Sequence, residues 1–393
     1  MNMNNKNWVS VWGNAVSIAE HHPEAYAKYI TLRYPVYIPF DGDTLRFTFD
    51  NFCGSEAVTV TRATVSAATS PVYEKMPLAC PCKKETICDI TFSKNESVTM
   101  EAHQTAVSDP VSFPVKKGMT LTVSLYFADF TLMQSAVLVT GPLSKGFFSL
   151  GDQTHADTLP MDTTKTTNWF YFLSNIELMT AEENHTVICY GDSITAGAWP
   201  DYLTLLARQN PDNHTAFIRR ATSGSRVLRQ YECITYDSYG LKGTNRFPHE
   251  IPTTGADTVI IQQGINDIIH PIGIETNPFR PMSDLPTVKE LIDGYRYYIE
   301  EAKKLHLKVY MGTLLPIFGW RTYATFRDDL RNELNAWIRS AKEIDGCIDF
   351  DLALRGSENP SAFREGFDSG DHLHPSSKAY QAMAECAYEV LRK

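Results

Sequence analysis

The chain has 393 residues, of which 43% are hydrophobic and 21% charged, the proportions of a folded globular protein and far from those of a disordered chain. Lys and Arg total 36 against 46 Asp and Glu, a formal net charge of -10, which repels phosphate backbones and anionic lipid and argues against nucleic acid or a membrane as partner. At this length two domains are expected, each able to bury its own core.

Taken in chain order, the opening stretch MNMNNKNWVSVWGNAVSI lacks a basic segment followed by an apolar run, and no later stretch offers the roughly 18 apolar residues that would span a bilayer. The expectation is a cytoplasmic chain with no export signal. From about residue 30 to 130 the pattern has period two: Leu45, Phe47 and Phe49 alternate with Arg46 and Thr48, and Leu121, Val123, Leu125 and Phe127 alternate with polar or small residues. With AVTVTRATV, DPVSFPVKKG and the turn signals DGD and KKG, these half-buried strands predict an antiparallel β-sandwich. CPCKKETIC brings Cys80, Cys82 and Cys88 close together without the paired short spacings and fourth ligand of a metal site, so they read as free thiols. Residues 135–183, rich in Thr, Ser and Gly, read as a connector that ends in one last strand near NWFYFLSNIEL. The first domain is placed at residues 1–183.

From residue 184 the rhythm changes. Short apolar strands (HTVICY, HTAFIRRA, DTVIIQQG, LKVYMGTLL, GCIDF) alternate with segments of helical length, which predicts a parallel sheet in a second domain at residues 184–393. Val288, Leu291, Tyr295, Ile299 and Ala302 recur at helical spacing, as do Tyr380, Met383, Ala384, Ala387 and Leu391. Right-handed crossovers place helices on both faces of such a sheet. The loops YDSYGLKGTNRFPHE and HPIGIETNPFRPMSDLP follow strand ends and are expected to wall a pocket.

In an open parallel sheet, ligands bind beyond the carboxyl ends of the strands, and the first strand-to-helix turn opens onto that crevice. VICYGDSITAGAW sets Ser193 at this turn, where the N–H groups and dipole of a helix N-terminus would stabilise an oxyanion formed by attack on an acyl carbon. Serine is also a good N-cap, so Gly-Asp-Ser alone does not make a nucleophile; the hydroxyl needs an imidazole base and an orienting carboxylate. In SGDHLHPSSKAY, Asp371 and His374 lie three residues apart before a terminal helix expected to begin at Pro375. That spacing lets the carboxylate reach one ring nitrogen while the other faces a serine, although HLH could equally bind a metal or cap the helix. DTVIIQQ ends in GIND, which brings the side-chain amide of Asn266 to the same sheet edge, and the strand around AFIRRA ends in TSGSR, where Gly224 offers its N–H. Each of these alone reads equally well as a turn or cap residue.

A GDS after the first strand, a Gly after the second, a GxND after the third and a DxxH before the last helix, in that order, resemble the four signature blocks of the SGNH (GDSL-type) hydrolase superfamily. Here they are Gly191-Asp192-Ser193, Gly224, Gly264-Ile265-Asn266-Asp267 and Asp371-His372-Leu373-His374. The resemblance implies a flavodoxin-like three-layer α/β/α domain that hydrolyses esters, with Ser193 as nucleophile, His374 as base and Asp371 as its orienting carboxylate. The oxyanion hole it implies is the N–H of Ser193, the N–H of Gly224 and the side chain of Asn266. Asp192 and Asp267 are expected to hold their loops rather than react, and Arg226 and Trp199 are left outside the site as an ion-pair partner and a packing residue. Upstream, WVSVWGNA, LRFTFDNFCGSEAVTV and SDPVSFPVKKGMTLTVSLYF resemble the jelly-roll-like β-sandwich that precedes the hydrolase domain in a bacterial branch of GDSL-type esterases and lipases.

No phosphate-binding loop, dinucleotide fingerprint or H-E-x-x-H is present, so no cofactor and no metal are expected. The expected substrate is a small-molecule or oligosaccharide ester, with short acyl groups on carbohydrate preferred. Two other readings stay open: a carbohydrate-binding protein whose α/β half is only a scaffold, and an O-acyltransferase that uses the same residues. The sequence leaves the oligomeric state open.

Overall fold

The computed structural model describes residues 6–19 and 26–392, so residues 1–5 of the stretch read for an export signal lie outside the described residues. The chain divides into two compact units, one running through Thr186 and including Pro211–Ile218, the other comprising Val187–Asn210 and Arg219–Lys393.

The first unit is built of antiparallel sheets. In a five-stranded sheet, Leu173–Ala181 lies between Lys6–Gly13 and Gly42–Asp50, and both Thr105–Val107 and Val111–Val115 also pair with Gly42–Asp50. Leu45, Phe47 and Phe49 are buried while Arg46 and Thr48 are only partly so, as the alternation predicts. A six-stranded sheet runs in the order Lys165–Thr167, Gly146–Leu150, Ile30–Tyr37, Thr120–Phe127, Arg62–Ala67, Cys88–Ile90.

Two expectations change here. Thr120–Phe127 is buried along its whole length rather than on one face. Its polar side is satisfied internally: the Thr122 and Ser66 hydroxyls meet at 2.6 Å, and Ser124 Oγ accepts from Nε of the fully buried Arg33, whose other nitrogens donate to the carbonyls of Cys80, Gln153 and Ala156. Residues 135–183 are not a connector with one last strand but supply strands to three sheets. Pieces of three to five residues are too short to display a period, which is why only the nine-residue Leu173–Ala181 was visible. Cys80 and Cys82 are buried free thiols, and burial pushes that of Cys80 up to about 12.

In the C-terminal half, β1 (His185–Gly191), β2 (Thr215–Ala221), β3 (Ala256–Gln262), β4 (Lys308–Gly312) and β5 (Gly346–Ile348) form a sheet in the order β2-β1-β3-β4-β5, with β3, β4 and β5 mutually parallel. This is the flavodoxin-like order, whose reversal point lies between β1 and β3. α1 (Ser193–Ala196) and α2 (Trp199–Arg208) follow β1, α3 (Gly243–Glu250) follows β2, and α4 (Ile265–Ile269) and α5 (Val288–Lys304) follow β3. α6 (Thr325–Ser340) follows β4, and α7 (Phe350–Leu354) and α8 (Ser377–Leu391) follow β5. α8 packs on α2 and α7, while α5 packs on α3 and α6, giving the two helical layers of an α/β/α domain. α5 starts under a Thr287–Glu290 capping box and buries Leu291, Tyr295, Ile299 and Ala302. Among the described residues no helix is long and apolar enough to cross a membrane.

Candidate active site

The corner after β1 is shaped by crowding. A Cβ at Gly191 would overlap the Gln262 carbonyl oxygen and Thr195 Oγ1, so only glycine lets the strand end there. Arg246 of α3, fully buried over the Tyr190 ring, donates from Nη2 to the Gly191 carbonyl at 2.9 Å. Asp192 then caps α1, its Oδ1 accepting the Ile194 N–H at 3.1 Å. Serine is therefore not the cap. Ser193 is the first residue of the helix, and its own N–H is one that no intrahelical carbonyl can satisfy. The helix is four residues long, so the dipole expected from the sequence shrinks to a single turn and the local N–H groups are the donors that remain.

Ser193 Oγ lies 2.9 Å from His374 Nε2, and His374 Nδ1 lies 2.6 Å from Asp371 Oδ2, although serine and histidine are 181 residues apart in the chain. The loop makes this geometry before the ring completes it. Asp371 Oδ1 accepts the N–H groups of Leu373 and His374 at 3.0 and 2.8 Å and the Ser369 hydroxyl at 3.1 Å. Burial pushes the Asp371 carboxyl up, but the His374 ring and the two N–H groups outweigh it and hold the group at about 2. Asp368 engages the other histidine of HLH, pairing with His372 Nδ1 at 2.5 Å and accepting the His372 N–H at 2.9 Å. Among the described residues no group of three or more His, Cys, Asp or Glu is placed to hold a metal ion.

The terminal helix begins at Ser377 beneath a Ser376 cap, later than the Pro375 start expected, because Pro375 is held in a bridge with Asp368. Gly197 admits the Tyr380 hydroxyl where a Cβ would stand, and Tyr202 Oη meets Ser377 Oγ at 2.7 Å. These contacts seat the start of α8 on α1 and α2, which brings the His374 loop to Ser193.

Gly224 follows β2 with φ +77°, and a Cβ there would overlap the Tyr239 ring. Its N–H donates to no acceptor among the described residues. Asn266 is buried on α4 and donates from Nδ2 to the Ser225 carbonyl at 3.1 Å, which leaves its second amide hydrogen uncommitted. Asp267 accepts the N–H groups of Val227 and Leu228 at 2.7 and 3.0 Å, tying α4 to the loop that carries Gly224. Burial raises Asp267 to about 6 against those two bonds. It raises Asp192 further, to about 7, against the Ile194 N–H and Arg246, and Asp192 Oδ2 is sealed without a partner.

The motifs do not disclose the residues behind Gly224. Tyr231, Tyr236 and Tyr239 pack on one another with ring centroids 4.8 to 5.7 Å apart, and His270, just past α4, packs on Tyr239 and Tyr231. The crowding of tyrosines in the loop expected to wall a pocket is the signal that could have found them. Arg226 pairs with Asp284 at 3.2 Å over the Tyr231 ring, and Trp199 is buried against Phe350, so both have the supporting parts expected of them.

Residues 189–382 match the model of the GDSL-like Lipase/Acylhydrolase family. No curated protein matches the chain. Among solved structures, a GDSL-like lipase from Bacteroides thetaiotaomicron is 20% identical, covers 54% of this chain and 89% of its own, and superposes with a TM-score of 0.40. A variant of an acetyl xylan esterase from Geobacillus stearothermophilus is 17% identical, covers 53% of this chain and 96% of its own, and gives a TM-score of 0.41.

Proposed function

We propose that this chain, whose residues 189–382 match the model of the GDSL-like lipase/acylhydrolase family, is a serine esterase in which Ser193, His374 and Asp371 remove short acyl groups from carbohydrate. The observation that carries the reading is the continuous chain Ser193 Oγ, His374 Nε2, His374 Nδ1, Asp371 Oδ2.

In this mechanism the His374 Nδ1–H donates to Asp371, which leaves the Nε2 lone pair facing the serine hydroxyl. Nε2 takes the proton as Ser193 Oγ attacks the ester carbonyl. The oxyanion then lies among the N–H groups of Ser193 and Gly224 and the uncommitted amide hydrogen of Asn266. The proton on Nε2 passes to the departing alcohol, and water repeats the sequence on the acyl-enzyme, returning the proton to Ser193. Asp371, at about 2, stays ionised throughout the neutral range, and Asp267 holds the Gly224 loop in register with Asn266. The partly buried Tyr236 and Tyr239 near Gly224 support a sugar as the alcohol part, since aromatic side chains pack well against a pyranose. A carbohydrate-binding protein with an inert α/β half has no use for the hydrogen bond from Ser193 to His374.

The test uses 4-nitrophenyl acetate and acetylated oligosaccharides. Ser193→Ala falls to background on both, and Asn266→Ala loses roughly 10²–10³ in kcat while its circular dichroism is unchanged. Ser193→Ala retaining most of the activity overturns the reading.

A further inference from the structure

The buried arginines of the C-terminal half are answered by carboxylates or carbonyls: Arg331 by Asp328 and Asp351, Arg219 by Asp201, Arg226 by Asp284, Arg327 by the carbonyls of Ile268 and Pro271. Arg280 is different. It is 7% exposed, its Nε is sealed without a partner, and its guanidinium makes no hydrogen bond or ion pair among the described residues. It lies instead over ring faces, 4.3 Å from Tyr236, 5.8 Å from Tyr231 and 6.0 Å from Tyr239. A guanidinium withdrawn from water and given no anion is costly to maintain.

The loop around it keeps the group there. Ile272 and Gly273 donate to the Arg280 carbonyl at 2.9 and 3.0 Å, Arg280 N–H donates to Asn277 at 3.0 Å, and Asn277 Nδ2 donates to Tyr236 Oη at 2.7 Å. The same rings lead to the reacting centre, because Tyr239 lies against Gly224. His270 packs on Tyr239 and Tyr231 at 5.2 and 5.9 Å, with its Nδ1 sealed and unpartnered. Burial, followed by the positive charges of Arg280, Arg226 and Arg321, holds this imidazole neutral well below its usual range.

Resting on the esterase reading above, we propose that Arg280, with the three tyrosines and His270, is a subsite for a carboxylate on the alcohol part of the ester, so that the substrate is an acylated oligosaccharide containing uronic acid. The planar guanidinium offers parallel N–H donors that match a carboxylate, while Tyr236 and Tyr239, which are only partly buried, are left to contact the sugar beside it. A singly charged carboxylate suits the site better than a doubly charged phosphate, which the net charge of -10 repels more strongly.

The probes are an acetylated galacturonate trimer and the same compound with its carboxylates methyl-esterified. With the intact wild-type chain, kcat/KM is expected to be at least tenfold higher for the free acid; Arg280→Gln brings the two within about twofold, and Arg280→Lys falls between. Calorimetric titration with the non-acetylated trimer reads the subsite without chemistry, and the free acid is expected to bind at least tenfold more tightly than its methyl ester. Both wild-type comparisons stand even if the Arg280 variants do not fold. Ser193-dependent hydrolysis with equal use and equal binding of acid and ester overturns the subsite and leaves the esterase standing. A preference for the acid in binding, with hydrolysis unaffected by Ser193→Ala, supports the subsite and overturns the esterase mechanism. Absence of binding by either trimer also overturns the subsite.

Discussion

Asp192→Asn isolates the cost of keeping an ionisable cap beneath the nucleophile. Asp192 is 0% exposed, one of its oxygens accepts the Ile194 N–H, the other is sealed and unpartnered, and burial raises the carboxyl from 3.8 to about 7. A raised folded-state value means that the favourable contribution is complete below pH 3.8 and is lost as pH climbs to about 7. A shift of about three pH units corresponds to about 4 kcal/mol, of which about 2 to 3 kcal/mol falls between pH 5 and 8. Asparagine keeps the cap oxygen and has no charge to lose, so any constant difference in its packing leaves the slope untouched. The stability of Asp192→Asn relative to wild type should therefore rise by that amount from pH 5 to pH 8 and level off above. Calorimetric unfolding of the full chain at pH 5, 6, 7 and 8 measures it, taking the transition that abolishes esterase activity as that of the C-terminal unit. Parallel pH profiles for the two proteins would show that Asp192 does not titrate in this range and would refute the reasoning.

Gly224→Ala places a Cβ into the Tyr239 ring on a backbone with φ +77°, which adds about 1–2 kcal/mol of strain and displaces one proposed oxyanion donor. A kcat loss of roughly 10²–10³ with the circular dichroism preserved is expected from steady-state kinetics, and near-wild-type turnover counts against the Gly224 N–H as a donor. Asp371→Asn is expected to lower kcat by roughly 10⁴ through the wrong imidazole tautomer. Because the native Asp371 carboxyl is held at about 2, its stabilising contribution is present above pH 3.8 and fades only as pH falls toward 2. The activity of the wild type near pH 5 should thus show no loss traceable to this group, which a pH–rate series on wild type and Asp371→Asn checks.

The four short blocks were readable because each depends on residue type and local order. A glycine is needed where Gly191 and Gly224 meet neighbouring atoms, a carboxylate three residues before His374 is within reach of its ring, and a strand end carries each of the first three blocks. The α5 stripe was legible for a similar reason, since a long amphipathic helix repeats its pattern several times. The segment of α3 reads as a loop that follows a strand end, and Gly243 and Pro248 run against helix formation, yet Gly243 is needed where the Tyr298 hydroxyl would collide with a Cβ, and the helix delivers Arg246 to Gly191. Tertiary contact overrode propensity there. That Asp192 rather than Ser193 is the cap was also hidden, since both are good cap residues and only backbone geometry separates them. The meeting of Arg280 with Tyr236 is likewise invisible from spacing, because a fold and not a period joins two loops that follow different strands.

The most direct measurement is the site and rate of labelling by a fluorophosphonate, read by intact and peptide mass spectrometry. One adduct is expected per chain, on the peptide containing Ser193, absent in Ser193→Ala and formed at least 10²-fold more slowly in His374→Ala, where the base is missing. Modification of a different residue, or equal labelling rates for wild type and His374→Ala, would contradict the claim that this imidazole activates this hydroxyl.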